Sequence, residues 1–446
     1  MKFNSIVTSM MMFSLTSVSA AQELTLEKQL ELLQKQLQEI EQKLASLQDP
    51  KQKTTSNTDV NSAKNWHINS YGSILYKSEE VFRNIQDTSP ERRAKTDVER
   101  VVFEYVYDID DKWQVEAEIE YEHGGSGATL EYDGFEEFGE FESEIEAGGE
   151  IIVEKLQVKY VVNSYVTAKM GRIFVPVGLG TDNHKPQEYF STERHWSEAS
   201  LIPQVWHETG LNLVSKWQDF TLQTLVTTGL NSEYFRTYNW VATGHQKRFE
   251  QVNSDDLALT LRLDYGNVKT GRFAGVSFYT GDTTGNRNNS NKVSGDGNLT
   301  IIGLHGSYQL DDWLIRAQYL FGQLDDSEEI TNANKTTPGL KPGNFSQLGS
   351  EAESSFVELA YNSQSLFNLS SPLYVFGLYE HANPIKEVEQ GNPTSRFDIQ
   401  ELSLGLNYLP NKNLVFKAQI SEQAYAQQNL ENTRSFSFSM GYYFSI

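Results

Sequence analysis

The chain has 446 residues, no cysteine and a formal charge of −23, and Phe, Tyr and Trp make up 12% of it. Without cysteine there are no disulfides, thiol nucleophiles or thiolate metal sites. The acidic balance argues against general nucleic-acid binding, because a chain that neutralises phosphate backbones is normally basic.

Residues 1–20 carry Lys2, an apolar run from Ile6 through Val18, and Val18-Ser19-Ala20 ahead of Ala21, which are the parts of a secretory signal peptide. The run is too short and too polar to span a bilayer as a helix, and no cysteine follows to carry a lipid. An exported, unlipidated mature chain is expected. Residues 21–48 place Leu26, Leu30, Leu33, Leu37, Ile40, Leu44 and Leu47 four and three apart in strict alternation. Such a narrow seam predicts a homo-oligomeric coiled coil, since a lone helix of about 25 residues is marginal in water. The alternative is a helix folded back onto its own barrel. Asp49-Pro50 ends the helix, and 49–65, rich in Lys, Thr, Ser and Asn, reads as a linker.

From 66 to 446 the periodicity switches to two. Strands are predicted at roughly 66–77, 97–108, 112–122, 151–161, 165–174, 207–215, 219–228, 255–265, 269–280, 298–309, 312–322, 354–362, 372–380, 396–408, 413–423 and 434–446. The last of them sets Phe436, Phe438, Met440, Tyr442, Phe444 and Ile446 on one face against Ser435, Ser437, Ser439, Gly441 and Ser445 on the other. Trp113, Val115, Ala117, Ile119 and Tyr121 oppose Gln114, Glu116, Glu118, Glu120 and Glu122 in the same way. High aromatic content at a mean hydropathy of −0.51 suits strands with lipid on one side and water on the other. Short turns alternate with long polar loops, and both ends of the strand region lie on the short-turn side. The pattern predicts an all-β fold, a 16-stranded antiparallel transmembrane β-barrel with an N-terminal periplasmic coiled-coil helix. A barrel of this size is expected to enclose a water-filled channel rather than a packed interior.

In a pore, chemistry means the charges facing the bore and the loop that narrows it. Opposite the apolar rows stand the basic residues Arg100, Lys155, Lys159, Lys169, Arg262, Arg316 and Lys417, read either as anion contacts or as ordinary wall solvation. Glu116, Glu118, Glu120 and Glu122 share one inner face beside Arg100, Lys155 and Lys159, so a transverse field is expected. Segment 175–206 is the most aromatic of the long loops. Folded inward as a constriction, it would bring His184, Lys185, Arg194 and His195 to the narrowest point; held outside, it would touch lipopolysaccharide or a neighbouring subunit. The histidine spacing matches no metal-ligand motif. The hairpin 124–150 is acidic throughout, a solvated loop or a place for divalent cations to bridge to lipopolysaccharide.

The run Gly171-Arg-Ile-Phe-Val-Pro176-Val-Gly178, the later Glu208-Thr-Gly210-Leu, the glycine-flanked acidic hairpin and the coiled coil ahead of a sixteen-strand barrel together resemble the phosphate-selective porin O/P family. The resemblance implies a homotrimeric outer-membrane porin with a third loop folded into the lumen and bases that bind phosphate. The chain departs from that pattern at Val177, where an aromatic is usual, and in ending at Ile446 rather than Phe. The expected function is a passive channel for small anionic solutes, without cofactor, metal or catalytic residue, in contact with outer-membrane lipid and lipopolysaccharide and with no nucleic-acid partner. A general or carbohydrate porin and a structural envelope tether are the alternatives.

Overall fold

The computed structural model describes residues 65–124, 129–131, 144–146, 151–245, 251–288, 291–336 and 347–446. The signal segment, the coiled coil expected at 21–48, the linker and most of the acidic hairpin lie outside the described residues.

The strands are β1 (Trp66–Val81), β2 (Glu91–Asp108), β3 (Trp113–Glu122), the short pair β4 (Thr129–Glu131) and β5 (Glu144–Glu146), then β6 (Ile151–Val161), β7 (Val166–Phe174), β8 (His207–Trp217) and β9 (Phe220–Thr228). They continue with β10 (Leu257–Asn267), β11 (Arg272–Asp282), β12 (Asn298–Leu310), β13 (Trp313–Leu324), β14 (Glu351–Asn362), β15 (Leu373–Glu387), β16 (Ile399–Asn411), β17 (Leu414–Tyr425) and β18 (Thr433–Ser445). Every strand except β4 and β5 belongs to one closed antiparallel barrel in which each pairs with its chain neighbour and β1 returns to β18. All sixteen predicted strands are present. Closure runs to the chain end, where Ile68 and Ile446 exchange backbone hydrogen bonds of 3.0 and 2.9 Å. A closed ladder leaves no unpaired edge for lipid to meet.

The period-two rows explain the wall. Phe436, Phe438 and Phe444 on β18, Leu402, Leu404 and Leu406 on β16 and Ile302 and Leu304 on β12 are all exposed on the outer face, while Ser437, Ser439, Ser403 and Ser307 on the same strands are buried inside. Near the short-turn ends of the strands the outer face carries tilted aromatic pairs, including Trp66–Tyr107 at 4.5 Å, Trp113–Tyr160 at 4.3 Å and Trp313–Tyr361 at 4.7 Å between ring centroids. That is an interfacial girdle below an apolar belt.

Two features depart from expectation. Strands β1 and β2 continue past the predicted limits, pairing as far as Val81 and Glu91 and cross-linked by Lys95–Glu79 at 2.9 Å and Arg92–Glu80 at 2.8 Å. Beyond the lipid both faces are wet, so the apolar row that marks a strand in sequence disappears while the ladder persists. The interior is also not water throughout. Val175, Val177, Leu201, Ile202 and Trp206 pack with Trp240, Phe235 and the inward residues Tyr279, Leu299, Ile301, Leu320 and Leu324 into one buried apolar cluster. Inner positions on β11 to β13 are therefore apolar as well, and the loops fill that side of the bore.

Gly171 lies on β7 between β6 and β8 with φ +125°, and a Cβ there would overlap the Leu156 carbonyl oxygen of β6. Only glycine takes that backbone without strain. Gly171→Ala is expected to destabilise the barrel by about 1–3 kcal/mol, measured as a lower urea midpoint for unfolding from liposomes.

Candidate functional site: the bore and its inward segment

Segment 175–206 follows β7 and leaves the wall at once. Gly178 N–H donates to Ser277 Oγ of β11 at 3.4 Å, and Leu179 N–H to Gln318 Oε1 of β13 at 2.5 Å. At the far end Glu193 pairs with Lys77 of β1 at 2.7 Å, and Thr192 Oγ1 lies 2.6 Å from Ser437 Oγ of β18. In the barrel order β1 and β11 stand eight strands apart, on opposite sides. The segment spans the bore.

Its course is fixed by wall bases. Arg262 on β10 donates to Gly178 O at 3.1 Å and pairs with Asp182 at 2.7 Å and Asp264 at 2.8 Å. Arg100 on β2 donates to His184 O and Arg316 on β13 to Glu188 O, with Arg316 also 3.2 Å from Glu358. Lys417 on β17 donates to Tyr189 O at 2.8 Å and Ser191 O at 2.9 Å, its ammonium 3.6 Å from the Tyr189 ring centroid. All four side chains are buried. Backbone carbonyls that leave regular structure need donors, and here the expected anion contacts supply them.

Internal contacts complete the fold of the segment. The Glu198 carboxylate, on the short helix α1 (Trp196–Ala199), accepts from Gly180 N–H at 3.2 Å, Leu179 N–H at 3.3 Å and Gln318 Nε2 at 2.6 Å. Burial nonetheless raises its pKa. A side chain at Gly180 would occupy the space of the Glu198 carboxylate, which gives the Val175-Pro-Val-Gly-Leu-Gly run its structural meaning. His195 stacks flat on Phe356, 3.8 Å between ring centroids, and burial lowers its pKa to about 4. His184 lies 3.8 Å from Glu118 and Lys185 sits over the Tyr443 ring at 5.2 Å.

The other expected residues fall on the β3–β6–β7 wall. Lys155 bridges Glu118 at 2.7 Å and Glu104 at 3.0 Å, and Glu116 accepts from Gln157. Glu120 is 3.9 Å from Arg100. Lys159 donates to Gln114 Oε1 at 3.2 Å and is registered against Lys169 of β7. A β-bulge opposite Glu118 and Ile119 turns both Glu154 and Lys155 inward. Acids and bases therefore do face one another, but most are mutually compensated.

On the extracellular side of the segment a cavity of about 390 Å³ opens between 191–199 and the inner wall of β1–β3 and β15–β18. Glu122 and Arg194 line it; so do seven further carboxylates, against three other bases. Sequence patterning missed this acidic excess because its members come from five strands and a loop.

No protein-family model matches the chain. A protein of Aquifex aeolicus (strain VF5), described as uncharacterized, is 24% identical over 370 residues, covering 80% of this chain and 76% of that protein. Among solved structures, the outer membrane channel DcaP of Acinetobacter baumannii matches with a TM-score of 0.51 at 10% identity, covering 87% of this chain and 100% of that one. The OmpF complex with daunomycin from Salmonella typhi matches with 0.51 at 12% identity, covering 84% and 97%. Likeness at these identities is likeness of fold. With the apolar belt and closed ladder, it describes a barrel of porin fold located in the bacterial outer membrane.

Proposed function

We propose that the chain is a passive diffusion channel for small hydrophilic solutes, narrowed by segment 175–206. The observation that carries this reading is a lipid-type outer wall around a bore whose polar side is crossed by an anchored inward segment. Assembly as a homotrimer, and contact of the acidic hairpin with lipopolysaccharide through divalent cations, belong to the same reading. The envelope-tether alternative rests on residues 21–48, outside the described set.

Preference for phosphate or other anions is the narrower form. Its support is Lys169, Lys185 and Arg194, bases that no carboxylate or carbonyl holds by a hydrogen bond or ion pair among the described residues. Against it stand the four wall bases committed to the segment and the acidic excess of the cavity. The geometry supports a channel with weak charge preference better than a dedicated phosphate pore. Planar-bilayer recording of the purified full chain in a tenfold KCl gradient tests both levels. Stepwise conductance is expected, with a reversal potential of only a few millivolts that shrinks as salt screens the fixed charges. Absence of conductance from correctly folded protein defeats the channel; a large anion-selective potential restores the phosphate reading.

A further inference from the structure

The extracellular cavity holds two carboxylates that no base compensates. Glu380 on β15 and Glu401 on β16 are register partners that both line the cavity, and neither makes an ion pair among the described residues. Opposed on one face of the sheet, their Cβ atoms stand about 5 Å apart. The bases of the cavity are engaged elsewhere. Lys77 is held by Glu79 at 3.0 Å and Glu193 at 2.7 Å, Lys95 by Glu79 at 2.9 Å and Arg434 by Glu422 at 2.9 Å, while Arg194 acts on Glu99 and Glu198. The fixed charges that Glu380 feels most are Glu401 and Glu358, both acids.

Glu380 is 2% exposed. Its Oε1 accepts from Ser197 N–H at 3.2 Å and Ser197 Oγ at 3.0 Å, which fixes the side chain. Its Oε2 accepts no hydrogen bond among the described residues and is open to the cavity. Glu401 receives Ser403 Oγ at 2.8 Å on one oxygen and Gln423 Nε2 at 2.7 Å on the other, and a carboxylate oxygen has a further lone pair to offer. Two carboxylates this close, with no base beside them, need a proton or a cation between them. A hard divalent ion wants six or more oxygens, and no group of three acid or histidine side chains that could hold a metal occurs among the described residues. An ammonium group asks for less. Two of its three N–H donors match Glu380 Oε2 and Glu401, and the third turns to cavity water. We propose that the Glu380–Glu401 pair is an entry site for small solutes that carry a primary ammonium group, taken up in the cavity of about 390 Å³. This names the solute class of the channel proposed above and rests on that reading. The occupant passes on because it keeps part of its hydration, so binding stays weak enough for release.

The test is planar-bilayer recording of the full chain in KCl, with ethylammonium chloride added on the extracellular side. Tetramethylammonium chloride, with the same charge and no N–H donor, is the comparison. Folding of each variant is checked by heat-modifiable electrophoretic mobility. Wild-type current is expected to fall saturably with ethylammonium, at a half-effect concentration about tenfold below that of tetramethylammonium, the worth of one charge-assisted hydrogen bond. Glu380→Gln and Glu401→Gln are each expected to remove most of that difference. Glu80→Gln takes one acid from the same cavity on β1, four strands from β15, and is expected to keep it. Equal sensitivity of the wild type to the two cations overturns the proposal, and the pair then holds a proton. An undiminished difference in both pair variants overturns it too, as does an equal loss in Glu80→Gln, which would mean diffuse attraction by the acidic mouth. Absence of KCl conductance from folded wild-type protein is a different failure: it removes the channel, and this inference with it.

Discussion

Replacing Lys417 by Met is expected to widen the channel without dissolving the barrel. Lys417 is 1% exposed, and its ammonium is the donor to two nearby backbone carbonyls of the inward segment, Tyr189 O and Ser191 O. Methionine fills similar space and offers no proton, so both carbonyls lose their donor in a site that water reaches poorly. Each unsatisfied buried group costs about 1–3 kcal/mol, and the pair therefore shifts the balance between seated and released segment by about thirtyfold or more. The barrel ladder of β16, β17 and β18 is backbone-bonded and unaffected. Single-channel records should show a larger mean conductance with added open-state noise, and limited proteolysis should cut within 183–195 where the wild type resists. Adding Arg316→Met, which removes the donor to Glu188 O, should extend the effect more than additively, because both bases seat the same stretch. Unchanged conductance and protease resistance in the double variant would mean that the segment does not limit flow.

The same bases show how far the sequence could be read. Outer-wall strands announce themselves because lipid imposes one rule on every second residue, and that rule located all sixteen. It also put Arg100, Arg262, Arg316 and Lys417 on the inner face, where they are. What no local pattern contains is the partner: Lys417 meets residues 228 and 226 positions earlier, and Arg262 a carbonyl 84 positions earlier. A base facing a bore reads alike whether it waits for a solute or is already tied to backbone. Leu299 and Ile301 escaped for a related reason. Between Leu299 and Leu304 apolar residues occur on both faces of β12, and only the docked segment explains why inward ones are tolerated. The bulge at Glu154 was hidden because a single inserted residue shifts the face of its neighbours without altering composition.

Phe438→Arg should prevent stable insertion, whereas Ser435→Arg, three residues away on β18, should be accommodated. Phe438 lies near the middle of the strand, registered between Tyr76 of β1 and Ala418 of β17, and is 43% exposed on the outer face. An arginine at mid-depth on the lipid face costs about 2–4 kcal/mol, to which the lost apolar contact of the ring is added. Ser435 has the opposite parity and lines the extracellular cavity beside Glu79, its register partner on β1, and Glu193. There a guanidinium meets water and carboxylates, and the local excess of acid is reduced. The comparison tests facing with the incoming residue and the strand held the same, the lost ring contact adding only a part of the expected difference. Folding yield into lipid vesicles, read by heat-modifiable mobility and by the urea midpoint, should fall sharply for Phe438→Arg and stay near wild type for Ser435→Arg. In bilayers the second variant should move the reversal potential toward anions. Equal yields would mean that the two faces of β18 meet the same solvent, and the membrane barrel would have to be abandoned.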